Sequence, residues 1–449
     1  MMEWNSLRRI ALPFIAACAG LAACSASTTT NTTTVLPATA IATLRFSPAG
    51  VRDTTFAGGK GIAITDFETG LNDYALATAL QIDGSIVVAG ASGKTQPSGA
   101  QLLIAVARYN SNGTPDAAFG TGGAVRTTIG TDHAEGDALA LQADGKIVVA
   151  ATIFSPTFSG KGIALLRYNG TDGTLDTGFN GTGIVTTTIG TGFDTAAAAV
   201  VVQSDQKIVV AGHANMTNGQ TNTILLRYNT NGTPDATFGT NGLITTPLSD
   251  DSMALGMLLQ PDGKIVVTGS LGAGSNPLDT IVLRYNSDGT LDSGFGSGGV
   301  ARFDVGGNDF GNAVARQTAD GNIVVTGHAR VDFFSDTSDI AVLRIKGTDG
   351  TLDTSFGSGG TVIVNLGAFD NAFSVVLQTD GKIVVSGNSG SGSVTRAAVV
   401  RFNTDGTLDA GFGSGGIVTP VAAGPSLTAS GNAVVFQPLD GSIYVTGYD

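Results

Sequence analysis

The sequence predicts an all-β protein, a seven-bladed β-propeller with four antiparallel strands per blade, and three observations carry that expectation. Three separate anchors each recur seven times, four strand-like runs fall between turn signals in each copy, and the repeat starts out of phase with the chain.

The first anchor is Asp-x-x-Phe, at Asp53/Phe56, Asp116/Phe119, Asp176/Phe179, Asp235/Phe238, Asp292/Phe295, Asp353/Phe356 and Asp409/Phe412, spaced 56 to 63 residues apart. The second is Gln-x-x-Gly or a near match, starting at Gln81, Gln142, Gln203, Gln260, Gln317, Gln378 and Gln437. The third is an arginine closing an apolar run, at Arg45, Arg108, Arg167, Arg227, Arg284, Arg344 and Arg401. A β-helix coil takes roughly twenty to thirty residues, so a unit of about sixty suits a blade better than a solenoid coil.

In the third copy the strand-like runs are Gly183 to Ile189 (strand a), Ala197 to Gln203 (b), Lys207 to Ala211 (c) and Thr223 to Tyr228 (d). Near-continuous apolar c runs such as Ile265-Val266-Val267 suit strands covered on both faces. Strands b and c are joined by Asp-Gly at Asp83, Asp144, Asp262, Asp320, Asp380 and Asp440, a pair suited to the positive φ of a tight hairpin. The third copy carries Asp205-Gln206 instead, so glycine at 206 should stabilise that turn.

The chain opens its repeats on a d strand, Thr43 to Phe46, and reaches Asp449 just after the seventh c strand. An open stack would leave unpaired strand edges. A ring over residues 41–449 lets the first strand complete the last blade.

The first residues read as an export signal: Arg8 and Arg9 precede an apolar run, Ile10 to Gly20, that is interrupted by Pro13 and too short to span a bilayer. Leu21-Ala22-Ala23-Cys24 resembles the lipobox of bacterial lipoproteins. That resemblance implies removal of residues 1–23 and acylation of Cys24; an ordinary signal cut near Ala23 is the alternative. Ser25, where the lipoprotein family uses Asp for inner-membrane retention, implies an outer-membrane address in the cell envelope. Residues 24–40 are Thr-rich without a hydrophobic period and read as a tether.

After such a cut Cys18 and the only tryptophan, Trp4, are gone, and a monomer without disulfides is expected. The net charge of −13 argues against nucleic acid as a partner.

The segments LDxxFGxGG, QxDGKIVVxG and LRYNxDG resemble the delta-60 repeat family of bacterial proteins, from Ala42 to Asp449. The resemblance implies a propeller and no particular ligand. Departures are local: Asp205-Gln206, Arg344-Ile345-Lys346 without Tyr-Asn, and Pro438-Leu439 after Gln437.

Several residue sets are candidates for chemistry. The d-to-a loops, such as Asn229 to Asp235, space oxygen side chains like the start of a calcium loop, but lack the glutamate that completes one. The alternative is that each repeat aspartate bonds loop amides while its Phe wedges between blades. Each anchor arginine precedes that aspartate by eight or nine residues, which predicts a repeated, partly buried ion pair.

If strand a lines the channel, Asp66, Asp304, Arg126 and Arg302 face it, the basis for a hydrolase or lactonase-like reading. His133, His213 and His328 read as exposed imidazoles rather than a zinc site. Asp73, Asp194, Asp251, Asp309 and Asp370 precede strand b, as a carboxylate rim or as caps on loop amides. The variable c-to-d loops carry Phe154, Phe158, Phe333 and Phe334, which suit contact with a partner.

Three functions remain open: a lipid-anchored binding scaffold for a protein, glycan or envelope component, a channel enzyme, and a purely structural surface protein. No cofactor is expected beyond the calcium candidate.

Overall fold

The computed structural model describes residues 39–68, 70–93, 101–155, 160–190, 195–272, 277–330, 337–367, 369–391, 394–419 and 429–448. The export signal, Cys24, nearly all of the Thr-rich segment, Asp194, Phe158, Phe333 and Phe334 lie outside the described residues. Among those described, no helix is long and apolar enough to cross a membrane.

The chain is all-β: among the described residues twenty-eight strands, β1 to β28 in chain order, form repeated four-stranded antiparallel sheets in a propeller-like arrangement. One sheet runs β11 (Ala196–Val202), β12 (Ile208–Asn215), β13 (Thr221–Tyr228), β14 (Leu243–Thr246), and the same order recurs around the molecule. One sheet has eight strands, because β21 (Ser338–Ile345) and β23 (Phe369–Leu377) share a parallel pairing at Ser338 and Phe369.

The sheets correct the expected grouping. Strand a does not open its own copy; it pairs with the d strand before it and forms the outer edge. Strand b is innermost. The b strands are β3 (Asn72–Leu80), β7 (His133–Leu141), β11, β15 (Ser252–Leu259), β19 (Asp309–Arg316), β23 and β27 (Ser430–Phe436). Each lies against the next, and β27 lies against β3. Packing beside two neighbours, as a covered inner strand does, suits their runs of small and β-branched residues.

The ends of the chain meet as a two-plus-two sheet. The N-terminal β1 (Ile41–Phe46) pairs with the C-terminal β28 (Ile443–Tyr448), from Ile41 opposite Tyr448 to Phe46 opposite Ile443. Two strands, not one, come from the N-terminal side, since β2 (Ile62–Thr65) adds to β1.

The core is a chain of interfaces between neighbouring sheets. One cluster joins Val148, Ile163 and Phe179 to Ile208, Ile224 and Tyr228 of the following copy. Another joins Phe46 and Ile62 to Val384, Val399 and Phe412 across the closure.

The repeat anchors form the second tie. In all seven copies the arginine Nε donates to Oδ2 of the repeat aspartate, at 2.7 Å from Arg45 to Asp53 and 2.8 Å from Arg344 to Asp353. The guanidinium covers the repeat phenylalanine, 4.2 Å from the ring centre for Arg227 over Phe238. The same arginine then reaches a carbonyl of the next copy: Arg167 to Thr230 and Arg227 to Ser287, both at 2.6 Å. Arg401 closes the series by donating to the carbonyl of Pro48.

The repeat phenylalanines are core residues and not part of any exposed site. Phe56, Phe119, Phe179, Phe238, Phe295, Phe356 and Phe412 are all 0% exposed, so no ligand can reach them. Phe119 packs with Val106, Val149 and Leu166, Phe295 with Val282 and Leu343, and Phe356 with Val342 and Val400. Arg108 lies over Phe119 at 5.5 Å, Arg284 over Phe295 at 4.4 Å and Arg344 over Phe356 at 4.7 Å. Each ring thus joins the apolar interface between copies to the ion pair above it.

Each phenylalanine fills a notch that only glycine leaves open. A Cβ on Gly113, φ +85°, would sit 2.5 Å from the Phe56 ring, and one on Gly50 2.7 Å from Phe412.

The loop reading of the aspartate is the one the geometry supports. In every copy its Oδ1 accepts the amide two residues on, as from Thr55 at 2.8 Å and Thr237 at 3.0 Å. Hydrogen bonds from Thr55, aided by Arg45, hold Asp53 down at about 2 against the opposing effect of burial. Lys264 does the same for Asp292, also about 2, with Gly294 and Arg284.

Candidate functional site

The innermost strands carry one irregularity at the same place in every copy. The ladder to strand c skips one residue, a β-bulge, and the skipped residues are Leu76, Asp137, Ala198, Leu255, Asn312, Phe373 and Asn432. All seven line a single central cavity of about 210 Å³. A bulge re-aims its extra side chain, so one backbone device points one residue per copy at the same space.

The bulge explains a motif residue. Where the carbonyl before the bulge swings toward strand c, the facing residue has no room for a side chain: a Cβ on Gly90 would lie 2.0 Å from the Tyr74 carbonyl oxygen, and one on Gly269 1.8 Å from that of Met253. This is the final glycine of the QxDGKIVVxG segment. The second copy has Ala151 there instead, opposite Gly136.

The inward residues are not equivalent. Leu76, Leu255 and Phe373 are apolar, Asn312 and Asn432 are amides, Asp137 is acidic, and Ala198 has the smallest side chain of the seven. Glu135, Thr152, Phe154 and His213 line the same side as Asp137, so the polar chemistry gathers between the second and third copies.

Each polar group there is held. Tyr74 Oη donates to Glu135 Oε2 at 2.7 Å, and Thr152 Oγ1 donates to Asp137 Oδ2 at 2.6 Å while accepting the Ala197 amide at 3.1 Å. Burial, then the Glu135 carboxylate, pushes the Tyr74 hydroxyl well above its usual range, so it remains a donor. Asn312 Nδ2 donates to the Ala372 carbonyl and Asn432 Nδ2 to that of Ala75, both at 2.7 Å, each tying its inner strand to the next. Among the described residues the lining holds two carboxylates, an imidazole and no lysine or arginine, which favours neutral or cationic occupants over anions.

The structure therefore moves the site away from strand a. Arg126 lies on β6 (Ala124–Thr127), Arg302 on β18 (Val300–Phe303), and Asp66 and Asp304 just follow β2 and β18. All four stand at outer edges rather than on the channel, because strand a pairs outward. Arg126 pairs with Glu68 at 3.5 Å, and Arg302 pairs with Asp279.

Phe154 is not an exposed loop residue either. It ends β8 (Ile147–Phe154), is buried, and lines the cavity.

The histidines are likewise buried rather than exposed. His133 accepts the Leu102 amide at Nδ1 at 2.9 Å, and His328 stacks on Phe310 with ring centres 4.6 Å apart. Burial, reinforced by Arg330, drops His328 to about 3. Sequence reasoning missed Glu135 and the bulge residues; the signal that marks the bulge residues is a position fourteen or fifteen residues before the glycine, or Ala151, that ends the QxDGKIVVxG segment.

The aspartates before strand b act as amide acceptors: Asp73 Oδ2 takes the Phe67 amide at 2.7 Å, and Asp251 Oδ1 takes that of Thr221 at 2.7 Å.

No curated protein matches the sequence. Among solved structures, the chain is similar to an ulvan lyase of a new polysaccharide lyase family bound to -[GlcA(1-4)Rha3S]-, at TM-score 0.43 and 10% identity over 76% of this chain and 81% of that one. It is similar to Sqt1 from Chaetomium thermophilum at TM-score 0.42 and 12% identity, covering 84% and 94%. Exo-β-1,3-galactanase from Phanerochaete chrysosporium with galactose gives TM-score 0.34 and 12% identity, covering 82% and 90%. Residues 81–119, 142–179, 203–238, 260–295, 318–356 and 378–412 match the family model described as domain of unknown function (DUF5122) beta-propeller, so six copies of the repeat in this chain carry that family's propeller signature.

Proposed function

We propose that this chain is a seven-bladed propeller, held at the outer membrane of the cell envelope by lipid on Cys24, that binds a neutral or amine-bearing sugar ring in its central cavity. The eight-stranded sheet then counts as two blades touching at one parallel pairing. The lipobox-like tetrad ending at Cys24 supports the anchor, and the binding partner would be a glycan of the envelope or its surroundings.

One observation carries the binding reading: the recurring bulge turns seven residues of five kinds toward one cavity, and Asp137 among them shares its side with Glu135, Thr152 and His213. Carboxylates and amides accept and donate hydrogen bonds to hydroxyls, while Phe154 and Phe373 offer apolar walls to the C–H face of a ring. The volume suits a single ring rather than an oligosaccharide.

Calorimetric titration with galactose, glucosamine, N-acetylglucosamine and glucuronate tests the reading. Binding by a neutral or amino sugar, with none by glucuronate, is the expected result. Equal binding of glucuronate, or no binding by any of the four, would overturn it.

The presence of two carboxylates and an imidazole in the same cavity favours a second reading, acid–base hydrolysis there. Release of product from aryl glycosides or lactones, abolished by Glu135→Gln, would favour it over simple binding.

A further inference from the structure

The rim where the chain closes departs from its sister copies in one direction. In six turns between strands d and a, Asn112, Asp172, Asn231, Asp288, Asp349 and Asp405 each accept the amide and the hydroxyl of the threonine two residues on. The turn after β1 has Ala49, Gly50 and Val51 at those places, so it presents methyl groups where the others present a polar lock. The b-to-c turns beside it change in the same sense, with Ile82 at the tip in the first copy and Leu439 in the seventh. The three turns adjoin: a Cβ on Gly441 would lie 2.8 Å from Pro48, and one on Gly84 3.8 Å from Gln437. Among the described residues, Ile82, Leu439 and Val51 are the three most exposed large aliphatic side chains, Leu439 at 90% and Val51 at 64%.

Charges of opposite sign flank this apolar stripe. In sister b-to-c turns a lysine follows Asp-Gly and pairs with the turn aspartate, at 3.0 Å for Lys146 and Asp144 and 3.9 Å for Lys382 and Asp380. Ser85 and Ser442 replace that lysine here, so Asp83 and Asp440 accept the Ser85 and Ser442 amides, and among the described residues no cation pairs with them. Both aspartates sit between the two inner strands of their sheets. At the outer end Arg52 and Lys60 precede β2, the outermost strand of the closing sheet. Arg52 donates to the carbonyls of Gly61 and Lys60, at 3.1 and 3.4 Å, and among the described residues neither cation meets a carboxylate.

We propose that this rim docks a second copy of the chain about a two-fold axis, in place of the monomer its sequence leads one to expect. A two-fold interface uses one patch twice and so must complement itself. This stripe does: laying Ile82 and Leu439 of one copy against Pro48 and Val51 of the other sets Asp83 and Asp440 opposite Arg52 and Lys60, and the axis repeats the match. An anionic lipid surface would attract the two cations but repel the two carboxylates, which favours a protein copy over a membrane. Three exposed tips a side make a small contact, so a dissociation constant on the order of 10⁻⁵ to 10⁻⁴ M is expected.

Sedimentation equilibrium of the full chain carrying Cys24→Ser, so that no lipid drives association, tests the interface. From about 1 to 500 µM the chain should pass from monomer to dimer, and raising sodium chloride from about 0.05 to 0.5 M should weaken the pair. Leu439→Asp and Ile82→Asp, at exposed tips, should each weaken dimerisation at least about tenfold with the melting temperature nearly unchanged. Lys60→Glu and Asp440→Lys chains should each self-associate poorly yet pair when mixed, since each then supplies the charge the other lacks. A monomer at every concentration, a dimer that neither Leu439→Asp nor Ile82→Asp weakens, no recovery on mixing, or flotation with phosphatidylglycerol vesicles in place of dimerisation would overturn the assignment.

Discussion

The ring of Arg–Asp–Phe anchors and the ring of inner bulges are both sevenfold, yet they are opposite in content. In the anchor ring every copy uses the same three side chains, and each arginine hands a hydrogen bond to the next copy until Arg401 reaches Pro48. In the bulge ring the backbone repeats while the side chains run from Leu76 through Asp137 and Ala198 to Asn432. Identity where copies join and difference where they converge divides the molecule into a scaffold and a site. Symmetry holds the ring; its loss at the centre makes the cavity one-sided, as the proposed recognition of a sugar ring would need.

The comparison breaks most readily at the closure. Arg401→Ala leaves Asp409 to Lys382 and the Gly411 amide and the bond to Pro48 unmade, and should cost about 2–3 kcal/mol in urea unfolding, as for losing hydrogen bonds to charged groups. Asp137→Asn in the bulge ring, which keeps an acceptor for Thr152, should cost about 1 kcal/mol or less by the same measurement. Equal costs would erase the division.

Acid sharpens it next. Asp53 and Asp292 are held at about 2, below the unfolded value near 4, so their stabilisation is complete above pH 4 and is lost as pH falls from 4 toward 2. Asp309, at about 6, acts in the opposite sense: the folded state keeps its proton longer, so stability falls as pH rises from about 4 to 6. Denaturant midpoints across pH 2 to 7 should show the acid-side loss, and Asp309→Asn should remove the decline between 4 and 6 while leaving the lower limb.

The smallest effect lies in a turn. Gln206 holds φ +65° where its sister turns use glycine, and Gln206→Gly should stabilise by about 1 kcal/mol. A lowered melting temperature would contradict that turn assignment.

The scaffold was legible because its residues recur at fixed distance. Arg45 and Asp53, or Gly113 beneath Phe56, are local devices written into each copy, and the ion pairs form as their spacing predicts. The site was not legible in the same way. Which of four strands is innermost depends on how blades pack, so counting along strand a led to Asp66, Arg126, Arg302 and Asp304 on outer edges.

A bulge adds a second obstacle, since the inward residue breaks the alternation that assigns faces in a regular strand. Glu135 and Asp137 sit in a run, His133 to Leu141, that reads as an ordinary mixed strand. His213 and Phe154, placed in loops by sequence, belong to strands that extend to the cavity. Asp304 and Arg302 were singled out for a channel they do not reach, and meet Asp279 at an outer edge instead.

The most direct test titrates whichever of galactose, glucosamine or N-acetylglucosamine binds best into a Glu135→Gln, Asp137→Asn chain, with melting temperature recorded on the same samples. Affinity at least about tenfold weaker at nearly unchanged melting temperature is the expected result, since a charged acceptor in a site contributes 1.5–3 kcal/mol or so to a hydrogen bond. Affinity equal to the unaltered chain would contradict a site at the centre of the ring.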